Sequence, residues 1–129
     1  PVVNAVLTEK HHTCEDSGIK LDVQLDLPKS LSMEPLHLCS ILGNLLDNAI
    51  HGAGASGVKE AAIHLSSVVE GDYLFIKVTN PSQEPSNKPA AGHGYGSRIL
   101  RDLSAHYDGN YWGTFEDGIY TATVSLIWV

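Results

Sequence analysis

Basic residues are scarce in this chain. Eight Lys and Arg stand against fifteen Asp and Glu in 129 residues, a formal net charge of −7. With so few cations spread along the sequence, no basic patch forms, and nucleic-acid binding is not expected. An acidic chain can still hold an acidic ligand, but only through local devices: a metal ion, helix N-termini, or one or two placed cations. Cysteine is sparse too. Cys14 and Cys39 have no CxxC spacing and sit in apolar helical patterns, so they read as buried thiols in a reducing cytoplasm. No apolar run is long enough to span a membrane and no signal peptide is seen, so no membrane contact is expected of this domain itself. Repeats and low-complexity tracts are lacking, which sets aside solenoids and fibrous classes. The chain opens at Pro1-Val2-Val3 without Met and reads as one domain, 1–129, cut from a longer protein.

What is present is an ordinary globular balance, 43% apolar and 18% charged, in a chain long enough to bury a core. Residues 2–16 predict a helix with Val3, Val6, Leu7 and Cys14 to one side, ended by Gly18. Residues 19–27 alternate Ile19, Leu21, Val23, Leu25 and Leu27 with polar residues, a strand with one wet face, stopped by Pro28. Ser32 is the expected cap of the next helix, with Pro35 in its first turn. That helix runs to about Ala53, with Leu38, Ile41, Leu42, Leu45, Leu46, Ala49 and Ile50 at helical spacing. Two strands follow, 61–69 and 73–80, joined at Glu70-Gly71-Asp72. Residues 81–96 form a long Pro-, Ser- and Gly-rich loop, and loops of that length inside a compact domain are usually functional. A short helix, about Ser97–Tyr107, ends at Asp108-Gly109, and two last strands, 110–116 and 119–128, turn at Gly118. Alternating strands have one solvent face, so the helices must cover the other. The expected class is α+β: a two-layer α/β sandwich with a mixed sheet and helices on one face.

Three places carry chemistry. In Gly43-Asn44-Leu45-Leu46-Asp47-Asn48-Ala49-Ile50, Asn44 and Asn48 are four apart and project from one side of a helix. Asn is a weak helix former, and two stacked in a Leu-rich helix call for a reason. His37, Ser40 and His51 continue the polar stripe. It is either a solvated face or a row of amides facing a ligand, and an amide oxygen is a hard donor suited to Mg²⁺. Gly92-His93-Gly94-Tyr95-Gly96-Ser97-Arg98 closes the long loop and opens a helix. Its glycines serve either a flexible connector or a close backbone approach to phosphate at a helix N-terminus. No GK[ST] follows, so it is not a Walker loop, and a Pro-rich loop stands where a Rossmann fingerprint needs a strand. Asn80 falls on the buried face at a strand end, where a side-chain amide needs partners. It either caps the loop or reads a ligand's hydrogen-bonding edge.

Together these resemble the ATPase superfamily of gyrase, heat-shock chaperones, histidine kinases and MutL. "NLLDNAI" resembles the N box, "GHGYGSRIL" resembles the glycine box after the ATP lid, and the element order is similar over nearly the whole chain. Within the superfamily the chain looks most like the catalytic domain of bacterial sensor histidine kinases of the peptide-pheromone, quorum-sensing type. The resemblance implies that Asn48 ligates Mg²⁺, Asn44 lies beside the phosphates, and Asn80 takes the place of the adenine-reading Asp. It implies that Gly94, Tyr95 and Gly96 border the phosphates, that 81–96 contains the lid and glycine box, and that Lys88 and His93 are lid residues. It further implies ATP and Mg²⁺ as ligands and transfer of the γ-phosphate to a histidine on an upstream dimerisation domain. A response regulator follows as partner, as does a place in the cytoplasmic part of a membrane-anchored sensor.

Some residues depart from the pattern. "VTNPSQEP" carries Asn80 for Asp and lacks the glycines after it, which implies weaker nucleotide binding. Ser40 stands where many relatives place the Glu that activates water, which argues against hydrolysis. Ser97 replaces a Leu of the glycine box. His11 and His12 lie too near the N box to match the family's phosphoacceptor, so 1–17 reads as a linking helix and the fragment alone is expected to be inactive. No His has metal-ligand spacing with Cys or carboxylates, so no zinc site is expected. Two rivals keep this fold: an anti-sigma-type serine kinase, and a nucleotide-free scaffold that docks a partner.

Overall fold

The computed structural model describes residues 2–84 and 94–129. Among these residues, α1 (Val2–Asp16) is followed by β1 (Lys20–Gln24), α2 (Pro35–Ala55), β2 (Ala62–Glu70) and β3 (Tyr73–Pro81). Then come α3 (Gly94–His106), β4 (Asn110–Glu116) and β5 (Ile119–Ile127). The strands form one sheet in the order β1-β2-β3-β5-β4. β1 runs parallel to β2, and the other pairs are antiparallel. α1 packs on β1, α2 on β2 and β3, and α3 on β4 and β5. This is the α+β, two-layer arrangement the alternation implies, with a mixed sheet.

The core sits between α2 and the inner sheet face. Leu38, Ile41, Leu42, Leu45, Leu46, Ala49 and Ala53 of α2 are buried. They meet Ile63, Leu65, Leu74, Ile76, Val78, Val124 and Leu126 from the strands. Each buried Leu or Ile contributes about 1.5–3 kcal/mol, so α2 is fixed firmly and its remaining face is presented in a set direction. β3 alternates as its sequence demands: Leu74, Ile76 and Val78 point inward, while Tyr73 and Lys77 are exposed. β4 and β5 join through the two residues Asp117 and Gly118, with φ of 51° and 79°. A two-residue loop with both residues left-handed matches the twist of the strands it joins. No helix among the described residues is long and apolar enough to cross a membrane.

The structure corrects several boundaries. Ser32 does not cap α2. Its backbone N–H and hydroxyl both donate to the Trp128 carbonyl, each at 3.1 Å. The N-cap is Glu34, with Pro35 beginning the helix. α2 also runs past Ala53 to Ala55, where the Ser56 hydroxyl donates to the Ala53 carbonyl at 2.7 Å. β1 ends at Gln24 rather than continuing to 27. Beyond it the Ser67 hydroxyl accepts from the Asp26 N–H at 2.8 Å and donates to the Asp26 carbonyl, so a side chain replaces the ladder. α3 begins at Gly94, three residues before Ser97. Cys14 is buried as expected, but Cys39 is only partly buried, and both are free thiols.

Candidate functional site

The site is built on one row of α2. Ser40, Asn44, Asn48 and Gly52 recur every four residues, so they lie one above another on the same side of the helix. Asn44 turns its amide back on its own helix: Nδ2 donates to the Ser40 carbonyl at 2.7 Å and approaches Ser40 Oγ at 3.4 Å. That fixes the amide orientation and leaves Oδ1 on the outer side.

α3 brings Gly96 onto this oxygen. A Cβ at Gly96 would stand 3.1 Å from Asn44 Oδ1 and 3.4 Å from Asn48 Oδ1. The first turn of α3 therefore lies directly over both amides, so close that a side chain at Gly96 would make the Asn44 amide give way by a few tenths of an ångström. The first-turn N–H groups of a helix have no intrahelical acceptor and carry the positive end of the helix dipole. No acidic residue occupies this first turn. Gly94 and Tyr95 belong to it by their backbone. Lys88 and His93 lie outside the described residues.

One turn further along α2, Gly52 meets the end of β3. Asn80 is 4% exposed, and its Nδ2 donates to the Pro81 carbonyl at 2.8 Å. A Cβ at Gly52 would stand 2.6 Å from that Nδ2. Gly52 is a helical residue that lets β3 reach the row, and the signal that could have singled it out is the four-residue spacing 40-44-48-52. Across the sheet, Asn80 pairs in register with Tyr120. Burial, then the neighbouring Tyr111 hydroxyl to which it is hydrogen-bonded, pushes the Tyr120 phenol above its ordinary pKa. The Tyr120 phenol covers the position in β4 where Gly113 lacks a side chain.

Other members of the polar stripe lie elsewhere. His51 is exposed. His37 turns toward the end of α3, where its Nδ1 is 2.6 Å from the Tyr107 hydroxyl. Asp47, inside the same motif, faces α1 and pairs with Lys10 at 2.7 Å. Lys10 is only 14% exposed in its side chain. Burial lowers its pKa, but hydrogen bonding and charge from Asp47, with help from Glu9, outweigh that and hold the ammonium above its usual range.

The arrangement is a helix N-terminus set over two amides, with a buried amide about one helical turn away. Such an arrangement can take an anion at one end and a flat polar edge at the other. The GHKL domain description matches residues 33–126, which spans α2 through most of β5. The chain belongs to the GHKL domain family. Sensor protein CitS of Halalkalibacterium halodurans is 33% identical to this GHKL domain over 84 residues, covering 60% of this chain and 15% of that protein. The chain thus spans a small part of that relative's length. Among solved structures, the catalytic domain of histidine kinase ThkA superposes with a TM-score of 0.82 at 15% identity, covering 98% of this chain and 92% of that one. A histidine kinase from Burkholderia phymatum gives 0.79 at 12% identity, covering 100% and 68%. At such identities the agreement is one of fold, and the fold of this GHKL domain is that of histidine kinase catalytic domains.

Proposed function

We propose that this domain binds Mg²⁺-ATP between α2, the first turn of α3 and the end of β3, and donates the γ-phosphate to a histidine on an upstream dimerisation domain in two-component signalling. The observation that carries the reading is the placement of Gly96 over the Asn44 and Asn48 amides. In this reading the phosphates lie against the N–H groups of Gly94, Tyr95 and Gly96, as anions do at helix N-termini. Asn44 Oδ1 and the α3 turn line the phosphate path. Asn48 supplies one hard amide oxygen, which fits Mg²⁺: that ion takes few protein ligands and completes its shell with phosphate oxygens and water. When bound, it neutralises phosphate charge.

Asn80 reads the base. Its Nδ2 is given to Pro81, so the side chain offers Oδ1 as an acceptor, the same polarity as the family's Asp. An adenine amino group donates to that oxygen, whereas the carbonyl of guanine sets acceptor against acceptor. Ser40 one turn before Asn44 holds the Asn44 amide and carries no carboxylate to activate water, which supports transfer over hydrolysis. Lys88 and His93 keep the lid role that the family resemblance implies. α1 is the linking segment, and its Lys10 ties it to the N-box helix.

ATP with Mg²⁺ is expected to bind in the micromolar-to-millimolar range, roughly −8 to −4 kcal/mol. GTP should bind about tenfold more weakly, since a missing hydrogen bond at a buried amide costs about 1–3 kcal/mol. Calorimetric titration at several millimolar nucleotide tests both, and heat from neither nucleotide would favour a scaffold that docks a partner.

Gly96→Ala separates site from fold. Ala is the better helix former by about 1 kcal/mol, so the empty domain should melt at an unchanged or slightly higher temperature. The added methyl would press on Asn44 Oδ1 and Asn48 Oδ1, so ATP affinity should fall about tenfold or more, the scale of one lost charge-assisted contact. Equal affinity in wild type and variant would remove Gly96 from the site.

A further inference from the structure

The strongest feature outside that site is the junction between the start of α2 and the end of α3. Glu34, the N-cap of α2, makes no side-chain capping bond. Its backbone N–H instead donates to the Tyr107 hydroxyl at 3.1 Å. In a capping box that N–H is taken by the side chain of the third helical residue. Here the third residue is His37, and its Nδ1 lies 2.6 Å from the same hydroxyl. With Oη accepting from Glu34, the phenol proton is left to donate to His37 Nδ1. That requires the tautomer with its proton on Nε2, the nitrogen that faces the Glu34 carboxylate at 3.8 Å. The rings of His37, His106 and Tyr107 meet edge-on, with centroids 4.8–5.6 Å apart. Tyr107 is anchored on its other side as well, because its carbonyl accepts from the Ile127 N–H of β5 at 2.9 Å.

The helices are antiparallel, since His37 meets Tyr107 at one end and Asn44 and Asn48 meet Gly96 at the other. Tyr107 lies eleven residues beyond Gly96, and Asn48 eleven beyond His37, about 16 Å of helix in each case. A slip of one helix along the other at the Tyr107 end therefore moves Gly96 off the two amides by the same amount. We propose that Tyr107 is a positioning residue: by capping α2 from the end of α3, it sets the register in which Gly96 lies over Asn44 and Asn48. The register itself is a property of the fold, and its consequence for nucleotide rests on the reading proposed above.

Tyr107→Phe keeps the ring and removes only the hydroxyl. In the 129-residue chain, amide exchange at Ser97–Leu100 should quicken about five- to tenfold relative to the β3 amides Leu74–Val78, the scale of one or two lost hydrogen bonds. ATP affinity should fall by a similar factor at a temperature where both proteins are fully folded. Leu21→Ala, on the far edge strand, is the control for general destabilisation and should quicken both sets of amides alike. His37→Gln keeps an acceptor for the phenol and should hold α3 closer to wild type than His37→Leu does. The proposal is overturned if Tyr107→Phe changes the α3 amides no more than the β3 amides, or if the two His37 variants behave alike. If the wild-type chain binds no nucleotide, the nucleotide reading fails and the exchange data still decide the register.

Discussion

Asn48→Ala is expected to weaken magnesium-dependent nucleotide binding by about ten- to 150-fold while leaving the empty domain nearly as stable as wild type. Asn48 lies on the outer row of α2, part-buried and facing the first turn of α3, while its neighbours Leu45, Leu46 and Ala49 point into the core. Removing an oxygen that contacts a charged ligand costs about 1.5–3 kcal/mol, about ten- to 150-fold in affinity. On the folding side, Ala is a better helix residue than Asn by up to ~0.7 kcal/mol. Melting temperature without ligand and ATP affinity with and without Mg²⁺ should be measured on the same protein. A structural amide would behave in the opposite way, with truncation stranding its partners at a cost of about 1–3 kcal/mol. Unchanged affinity together with a large fall in melting temperature would therefore remove Asn48 from the site.

The largest effect on the fold is expected at Gly109. The α3–β4 connection passes so close to β5 that a methyl there would run into the Ser125 carbonyl. Ser125 belongs to a strand paired on both sides, opposite Phe75 in β3 and Asn110 in β4. The Gly109 N–H is itself committed, donating to the Ser104 carbonyl at 2.7 Å to close the end of α3. Neither partner can retreat without breaking a ladder or a helix end. Gly109→Ala should lower the unfolding free energy by about 3 kcal/mol or more, at or beyond the usual cost of overpacking. Urea unfolding reads this directly, and a midpoint equal to wild type would show that the corner is looser than the structure has it. The same corner carries Tyr107, so a folded Gly109→Ala protein should also lose affinity for ATP.

The helices and strands differ in how well their sequences announce them. α2 is legible because its apolar residues hold helical spacing over several turns, which marks one face for burial in a core. β3 and β5 are legible from alternation of period two. Element ends are less so, because an end is decided by whichever partner takes the last backbone groups. Ser32 looks like a cap, yet the carbonyl of Trp128, just past the end of β5, claims it. Leu25 and Leu27 continue the alternation of β1, yet the Ser67 hydroxyl takes the place of the ladder. The glycine-rich start of α3 reads as loop because glycine is a poor helix former. Packing against Asn44 and Asn48 overrides that preference.

The site divides in the same way. Asn44, Asn48 and Asn80 stand out in the sequence because an amide amid apolar residues must be satisfied by something. Gly52 and Tyr107 do not stand out. A glycine near a helix end ordinarily signals termination, and a tyrosine at the end of another helix carries no mark of the N–H it caps.

By itself the sequence determined the class of fold, the order of its elements, the helix that carries the amide row, and the family whose motifs it shares. These follow from local periodicity and short motifs, which each segment expresses alone. Only the tertiary structure decided that Gly96 sits on Asn44 and Asn48, that Gly52 admits Asn80, and that Tyr107 caps α2 across some seventy residues of chain. The physical reason is that these are contacts between surfaces of different elements. Their geometry is set by how α2, α3 and the sheet pack around one core, and no single segment contains that information.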